Sequence, residues 1–314
     1  MHIGHRHTIH DHDGHLGWNR ALQPVMRAVS GDTITFCCRD AGNGHYHHGS
    51  TAHDVLTADP HASNPLTGPL FVEGAAPGDA LKVTIHEFAP SGFGWTAIIP
   101  GFGLLSDQFQ SPKLKLWDYD TGISKPAVFN ADASLPLKPF IGTIGVAPAE
   151  PGTHSVIPPR RVGGNMDIRD IAAGTVLYLP VEVEGALLSI GDTHAAQGDG
   201  EVCGTAIESA MDVSATVEVI KDAAPKTPYF TTPGPITRHL DGAGYDVTTG
   251  IGPDLMQASR DAVSAMIDFL ARTRNLSAED AYMLCSVCGD LKISEIVDAP
   301  NWVVSFYFPR IVFG

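Results

Sequence analysis

The side chains best suited to bind a metal or to transfer a proton are concentrated in the stretch GDTHAAQGDGEVCGTAIE, residues 191–208. Within it, Asp192 and His194 are two positions apart, so on an extended backbone both side chains point to the same side, as two ligands of one ion must. A carboxylate and an imidazole together suit zinc or a similar divalent ion. The spacing therefore indicates Asp192 and His194 as a pair of metal ligands.

Two more carboxylates of the same stretch could complete this site. Gly198, Gly200 and Gly204 permit backbone conformations closed to other residues, so the loop can fold back and bring Glu201 or Glu208 to the pair. One would then be a third ligand and the other a general base, with Glu201 favoured as the base and Glu208 as the more buried partner. The alternative is a glycine-rich hairpin with solvated carboxylates and a histidine that only caps a turn.

A second polar pair follows a Gly-Gly turn in the sequence GGNMDIRD, where Asn165 and Asp167 are again two positions apart. The amide could hold a substrate carbonyl oxygen or the oxyanion that develops from it, so both residues join the candidate catalytic group. In the alternative, commoner arrangement, they form an Asx-type turn that satisfies only local backbone groups.

Eleven of the 15 histidines fall within residues 1–65. Those between residues 5 and 15 have irregular spacing and a terminal position, which favours a flexible or oligomer-contacting arm. Of the early histidines, His61 is the one that we expect to reach the metal.

The chain offers other nucleophiles. Cys203 would attack a carbonyl if a base lowered its pKa, but a small buried cysteine beside a glycine is the commoner situation. Cys285 and Cys288 form a C-x-x-C pair in a predicted helix, and no second pair completes a zinc site, so we expect a core role. A serine-type mechanism is disfavoured because the sequence has no G-x-S-x-G elbow.

The fold that must position these residues is predicted to be mostly β. Alternating apolar residues, or runs of β-branched and aromatic ones, predict strands at residues 32–38, 80–87, 211–220 and 302–309, and two more within 174–192. We therefore expect strands of a sheet before and after the 191–208 stretch, with the polar loop between them.

Helical periodicity is clear only near the C-terminus. An apolar stripe predicts a helix over residues 254–272 with Asp254 as its N-cap, and a capping-box pattern at Ser277 begins a second helix. Residues 92–153 are rich in Gly, Pro and aromatic residues, which predicts long irregular connections. The result is a β-rich α+β fold. Its predicted parts are a His-rich leader with the first strands at 1–65, a β-rich catalytic part at 66–220, and a smaller α/β part at 221–314.

Composition and charge exclude several classes of function. The 314-residue chain carries 20 Lys and Arg against 35 Asp and Glu, a formal charge of −15, so nucleic acid is not an expected partner. The sequence contains no apolar stretch of about 18 residues, the length that crossing a bilayer requires, and its N-terminus lacks the apolar part of a signal peptide. We therefore expect no membrane partner and a cytoplasmic location. Five cysteines at irregular positions indicate reduced thiols.

The 191–208 stretch resembles the hallmark segment of the acetamidase/formamidase family. The first 60 residues match that family only loosely, and NGHYHHGSTAHD at 43–54 departs from its pattern, which leaves the substrate preference open. Elsewhere the resemblance covers nearly the whole chain, through the segments 68–83, 98–105, 139–150, 158–170, 249–270 and 291–301.

This resemblance implies hydrolysis of formamide, acetamide or similar short amides to ammonia and a carboxylate. It also implies a subunit with a β-sandwich-type N-terminal part, assembly into homo-oligomers, and a divalent metal, zinc especially, with calcium as the alternative. The alternative function is a non-catalytic protein that keeps the scaffold and only binds a metal or a small ligand. Release of ammonia from acetamide and formamide distinguishes the two.

Overall fold

The structure is a computed structural model that describes residues 4–314; residues 1–3 of the predicted leader lie outside the described residues. The first ten strands are β1 Arg6–Ile9, β2 Gly14–His15, β3 Met26–Ala28, β4 Thr33–Cys38, β5 Leu66–Val72, β6 Ala80–Pro90, β7 Phe93–Ile98, β8 Lys113–Asp118, β9 Ala127–Val128 and β10 Ser134–Leu135. The remaining strands are β11 Phe140–Gly145, β12 Gly163–Asn165, β13 Val176–Pro180, β14 Leu188–His194, β15 Met211–Ile220, β16 Tyr229–Thr231, β17 Tyr245–Gly252, β18 Asp290–Glu295 and β19 Trp302–Pro309. The α-helices are α1 Leu255–Arg274 and α2 Ala278–Cys288.

The first large sheet is built around the long strand β15. Its strand order is β1-β4-β15-β6-β13-β16. β15 pairs antiparallel with β4 on one side and with β6 on the other, and its buried Val213, Ala215 and Val217 alternate with less buried residues. Such alternation is expected of an antiparallel sheet with one face on the core. The strand predicted at residues 211–220 is confirmed.

The second large sheet packs on the inner face of the first. Its order is β12-β11-β14-β5-β2, with β3 beside β5. Every residue of β11 and β14 is buried, and Ile144 and Ile190, which lie opposite each other on these strands, share one core with Ile34, Val83 and Val213 of the first sheet. The two sheets therefore form the predicted β-sandwich.

The C-terminal part is a smaller antiparallel sheet with order β17-β19-β18, against which α1 and α2 pack. The side chains of Asp254 and Ser277 each accept a backbone N–H in the first turn of their helix, as predicted. Cys285 and Cys288 are buried on α2, which confirms their predicted core role.

Residues 92–153 differ from the prediction of irregular connections. They contain the β7–β8 hairpin and the central strand β11. Glycines within these strands interrupt the apolar alternation, and they lie where another segment comes very close. A Cβ atom on Gly94 would be 2.8 Å from Glu208 O, and one on Gly142 would be 2.7 Å from Asp192 O. The glycines that obscured the strand pattern in the sequence are therefore the residues that allow these strands to pack closely.

The segment from His5 to His15 is not a flexible arm, whereas the alternative of an oligomer contact there stays a prediction. β1 pairs parallel with β4, and His15 Nε2 lies 2.8 Å from Ser189 Oγ of the second sheet. The backbone pairing explains this difference, because a strand needs no apolar side chain on its exposed face.

The predicted boundaries between parts of the chain, at residues 65 and 220, stay predictions. Within residues 4–314, none of the helices combines the length and the apolar character that crossing a membrane requires.

Candidate active site

Three side chains of the 191–208 stretch, Asp192, His194 and Glu208, converge at one buried point. His194 Nε2 lies 3.2 Å from Asp192 Oδ1 and 3.0 Å from Glu208 Oε2. An imidazole carries at most one proton on Nε2, so it can satisfy only one of these carboxylates. Glu208 Oε2 is indeed buried without a hydrogen bond. One nitrogen and two carboxylates thus lie close enough together to hold one metal ion.

The backbone around these residues explains how they meet. Asp192 has a φ of 52°, so the chain at the end of β14 is not extended as the prediction assumed, although the predicted convergence with His194 is present. Glu208 exchanges two backbone hydrogen bonds with Trp95, at 2.9 and 3.0 Å, which fix its position beside β7. Burial of all three side chains contradicts the alternative of a solvated hairpin.

Gln197 determines which ring nitrogen of neutral His194 carries the proton. Its Nε2 donates to the backbone oxygen of Asp167 at 2.8 Å, and because a carbonyl oxygen can only accept, this bond orients the Gln197 amide. Gln197 Oε1 then faces His194 Nδ1 at 3.0 Å and accepts its proton. In the neutral ring, Nε2 is consequently left with a lone pair directed toward the two carboxylates, which is the form that binds a metal.

Asp167 and Glu201 form a second acidic group around the same imidazole. Both are half-buried and line a cavity, and Asp167 Oδ1 is shielded from solvent without a hydrogen-bond partner. Gly142 permits this close packing, because a Cβ there would lie 2.7 Å from Asp167 Oδ1 and 2.9 Å from His194 Cε1. The structure therefore brings Asp167 and Glu201 together with the first three residues.

Asn165 joins the cluster through its side-chain oxygen. Oδ1 accepts hydrogen bonds from Thr143 Oγ1 at 2.6 Å and from Asn64 Nδ2 at 3.4 Å. Since the oxygen is held in this way, the amide nitrogen is the group with which Asn165 can donate to a ligand in the cavity that it lines. These long-range bonds differ from the local Asx-type turn considered as the alternative.

Burial and mutual repulsion oppose ionisation of Asp167, Glu201 and Glu208. Burial alone would also raise the pKa of Asp192, but the charge and hydrogen bond of His194 outweigh it and lower that pKa. Burial and the charge of Asp192 raise the pKa of Asp167 to about 8 and that of Glu208 to about 7. Burial and the charge of Asp167 raise the pKa of Glu201 well above its usual range. Burial alone would lower the pKa of His194, but the charges of Glu208 and Asp192 outweigh it and raise that pKa. Protons or a cation must offset so much negative charge.

Helix α2 holds the 191–208 stretch from behind. The backbone oxygen of Ser286 accepts from Gly198 N at 2.8 Å, and its Oγ accepts from Cys203 N at 3.1 Å. Tyr282 OH donates to Val202 O. Cys203 itself is fully buried, does not line the cavity, and has a thiol pKa raised by burial. This environment favours the predicted core role over that of a nucleophile.

His61 is not brought to the cluster. It lies in the short turn Pro60–Ala62, where Asp59 accepts its backbone N–H, and its side chain is exposed and does not line the cavity. The capped turn directs this residue to the surface, so the structure gives no support to His61 as a metal ligand.

Two contacts of the cluster were missed by the sequence analysis. Thr143 Oγ1 lies 3.1 Å from Asp192 Oδ2 as well as beside Asn165, and Gln197 orients His194. The available signals were weak: Thr143 is the one hydroxyl-bearing residue in the apolar sequence FIGTIG, and Gln197 is one of several polar residues in its loop. Their roles depend on pairing between distant strands.

The cluster opens into a cavity of about 1090 Å³. Asn165, Asp167, Asp192, Glu201 and Glu208 contribute to its polar lining, whereas much of the remaining lining is aromatic or aliphatic. A buried donor set that could hold a divalent ion, further carboxylates for proton transfer and room for a ligand are together the parts that a metal-assisted hydrolase needs.

The chain is similar to known proteins over most of its length. The model of the acetamidase/formamidase family matches the chain over residues 2–156 and 149–314. An acetamidase of Mycolicibacterium smegmatis is 30% identical over 270 residues, which span 66% of this chain and 66% of that protein. The crystal structure of an acetamidase from Bacillus halodurans is 33% identical, with 96% of each chain covered and a TM-score of 0.68.

The fold is also shared with a protein that is less similar in sequence. A gamma lactamase from Delftia acidovorans superposes with a TM-score of 0.90 over 98% of this chain and 93% of its own, at 24% identity. The family match over both halves of the sequence, with relatives at 30% and 33% identity, confirms the resemblance first indicated by residues 191–208. The chain belongs to the acetamidase/formamidase family and is an amidohydrolase.

Proposed function

We propose that the protein hydrolyses linear amides, formamide and acetamide among them, to ammonia and a carboxylate, with a divalent metal, zinc rather than calcium, held by Asp192, His194 and Glu208. One observation carries the proposal: Asp192 Oδ1 and Glu208 Oε2 both lie within 3.2 Å of His194 Nε2, which has at most one proton to share between them. Zinc suits a site with an imidazole nitrogen, whereas calcium prefers a shell of oxygen atoms.

A metal bound there would polarise the amide carbonyl and lower the pKa of a bound water molecule. The chain's own groups would manage the rest of the reaction. Glu201, which lines the cavity and belongs to the second acidic group around His194, is proposed as the general base. Asn165 would donate its amide N–H to the developing oxyanion. Asp167 would help to pass the proton to the departing nitrogen, because an amide anion is a poor leaving group.

The two glutamates provide the test of this division of roles. Glu201→Gln should keep zinc and the fold while lowering kcat by about 10²–10⁴-fold, since a positioned base contributes that much. Glu208→Gln should weaken zinc binding by more than about 100-fold, because even residues that only support a ligand contribute about 10- to 100-fold. The matched control is Glu87→Gln on the exposed side of β6, which should change neither quantity.

Ammonia release from formamide and acetamide, zinc content and thermal unfolding would be measured on each variant. A strong chelator should abolish turnover, and added zinc should restore it. Full activity in metal-free protein would refute the proposal that the reaction depends on a metal. Normal turnover and zinc content in both glutamine variants would remove the loop from the mechanism, and zinc binding without ammonia release would favour the non-catalytic alternative.

Homo-oligomeric assembly and a cytoplasmic location belong to the same proposal. The exposed Val247, Ile251 and Ile293 of the C-terminal sheet favour a surface that is covered in an assembly. All five cysteines are unpaired, which suits a reducing compartment. Light scattering on the purified protein should give a multiple of the 33.3 kDa chain mass, and a single-chain mass at all concentrations would contradict assembly.

A further inference from the structure

The cavity is much larger than the smallest amides require. Its volume of about 1090 Å³ is slightly above the range of about 300–1,000 Å³ found for sites that enclose drug-sized ligands. Acetamide, with its single methyl group, would leave most of this space to water. A site of this size can make apolar contact with a longer acyl group, and such contact is favourable because it removes apolar surface from water.

Apolar side chains continue from the acidic cluster into the rest of the cavity. Trp95 is joined to Glu208 by backbone hydrogen bonds, and the Tyr46 ring packs on Trp95 with 4.3 Å between ring centroids. Ile99, Phe102 and Ile157 also line the cavity, and the last two are 49% and 40% exposed. An acyl chain whose carbonyl lies at the cluster would therefore have Trp95 and Tyr46 among the apolar side chains that line its cavity.

One wall is formed by a single ordered segment, residues 41–64. The two ends of this segment are joined by a hydrogen bond from Asn64 N to Ala41 O at 2.8 Å, and His45 Nε2 lies 2.8 Å from the backbone oxygen of Asp54. Trp95 Nε1 donates to Asp40 Oδ1 at 2.9 Å, which ties the start of the segment to β7. The wall is therefore already formed before a ligand binds, and this lowers the entropic cost of binding.

The charge of the lining restricts the distal end of the ligand. Across the described residues, the lining includes five carboxyl groups, those of Asp59, Asp167, Asp192, Glu201 and Glu208, but no lysine or arginine. A carboxylate at the distal end of the substrate would be desolvated there with no lysine or arginine to pair with, which is strongly unfavourable. The histidine of the lining, His45, already has its Nε2 2.8 Å from the backbone oxygen of Asp54. A neutral chain meets no such penalty.

From this cavity we propose that the preferred substrates are primary amides of neutral apolar acyl groups longer than acetyl, with the segment 41–64 and Trp95 forming the acyl-binding wall. The inference rests on the proposed amide hydrolysis. Water adds to the carbonyl carbon, the C–N bond breaks, and the products are the long-chain carboxylate and ammonium, so the reaction needs no further reactant.

The test compares acetamide, butanamide, hexanamide and the monoamide of adipic acid on the zinc-loaded protein. The value of kcat/KM should rise about fourfold with each added methylene group, because each buried methylene adds that factor. The adipic monoamide, which is similar to hexanamide in length but ends in a carboxylate, should be at least about tenfold poorer than hexanamide. A kcat/KM that falls from acetamide to hexanamide, or equal values for hexanamide and the adipic monoamide, would overturn the proposal.

Variants of the wall connect the preference to the cavity. Ala58→Phe and Ala62→Phe each add a ring to the lining, and should lower the ratio of hexanamide to acetamide kcat/KM by about tenfold or more through exclusion of two or more methylene groups. Val128→Phe, at an exposed position of β9 that does not line the cavity, is the matched control and should leave this ratio unchanged. An unchanged ratio in both wall variants would overturn the assignment of the wall.

Binding measured by calorimetry separates this inference from the proposed function. If no amide releases ammonia, amide hydrolysis as proposed fails, but hexanamide that binds more tightly than acetamide, with a more negative heat-capacity change, would still support the acyl-binding wall. If neither amide binds, or both bind equally, the wall is refuted. If acetamide is hydrolysed well and hexanamide poorly, only the inference on chain length fails.

Discussion

Replacing Gln197 with leucine tests how the protein prepares His194 for a metal. The leucine side chain is similar in size, but it removes both the acceptor 3.0 Å from His194 Nδ1 and the donor 2.8 Å from Asp167 O. In the variant, a metal at Nε2 would require the proton to stay on Nδ1 in a buried site without an acceptor.

The size of the effect follows from that unsatisfied group. A buried donor left without a partner costs about 1–3 kcal/mol, and 1.36 kcal/mol corresponds to a tenfold change in an equilibrium constant. We therefore expect the zinc dissociation constant of Gln197→Leu to increase by about 5- to 150-fold. Gln197→Glu keeps an oxygen acceptor for Nδ1–H, so it should bind zinc more tightly than the leucine variant.

Competition with a chromophoric chelator would measure zinc affinity, and circular dichroism would verify that each variant is folded. Gln108→Leu is the matched control, because Gln108 lies away from the cluster and bonds only weakly to Ser264, at 3.4 Å. Wild-type zinc affinity in Gln197→Leu, or equal weakening in the leucine and glutamate variants, would refute the argument that the Gln197 oxygen fixes the histidine proton.

Two further substitutions test the packing around the cluster. Gly142→Ala would place a methyl group 2.7 Å from Asp167 Oδ1 and 2.9 Å from His194 Cε1, so kcat should fall by about 10²-fold because these groups are displaced. Gly252→Ala is the control, because no atom lies within 4 Å of its new Cβ, and it should leave kcat unchanged. Equal kcat values for the two variants would contradict the close approach at Gly142. Cys203→Ala should lower the free energy of unfolding by about 1 kcal/mol and retain most turnover of acetamide, as should Cys285→Ala in the same core, and a thioester trapped on Cys203 would overturn its structural role.

The elements with a clear period were predictable from the sequence. β15 alternates apolar and polar residues because one face lies on the sandwich core, and α1 carries an apolar stripe after the Asp254 cap. β11 lacks such a pattern because all of its residues are buried and two of them are glycines. A strand of this kind is recognised by its neighbours, which the local sequence does not contain.

The candidate site was predictable where its residues are close in sequence. Asp192, His194, Glu201 and Glu208 come from one stretch, and the structure brings all four together. Thr143 could not be assigned, because its contact with Asp192 depends on the pairing of β11 with β14. His61 was misleading for the opposite reason: it belongs to the segment 41–64 that forms a cavity wall, but its capped turn exposes the side chain.

The hydrogen bond between Asn64 N and Ala41 O has a consequence for how such proteins diversify. Because it joins the two ends of the segment 41–64, a segment of another length or composition can begin and end at the same points of the scaffold. The proposed metal ligands Asp192, His194 and Glu208 come from β14 and the loop that follows it, so exchange of the segment 41–64 would leave these three residues in place. Evolutionary change or laboratory grafting of this segment can then alter which substrates bind, while the residues proposed to carry out the reaction stay the same.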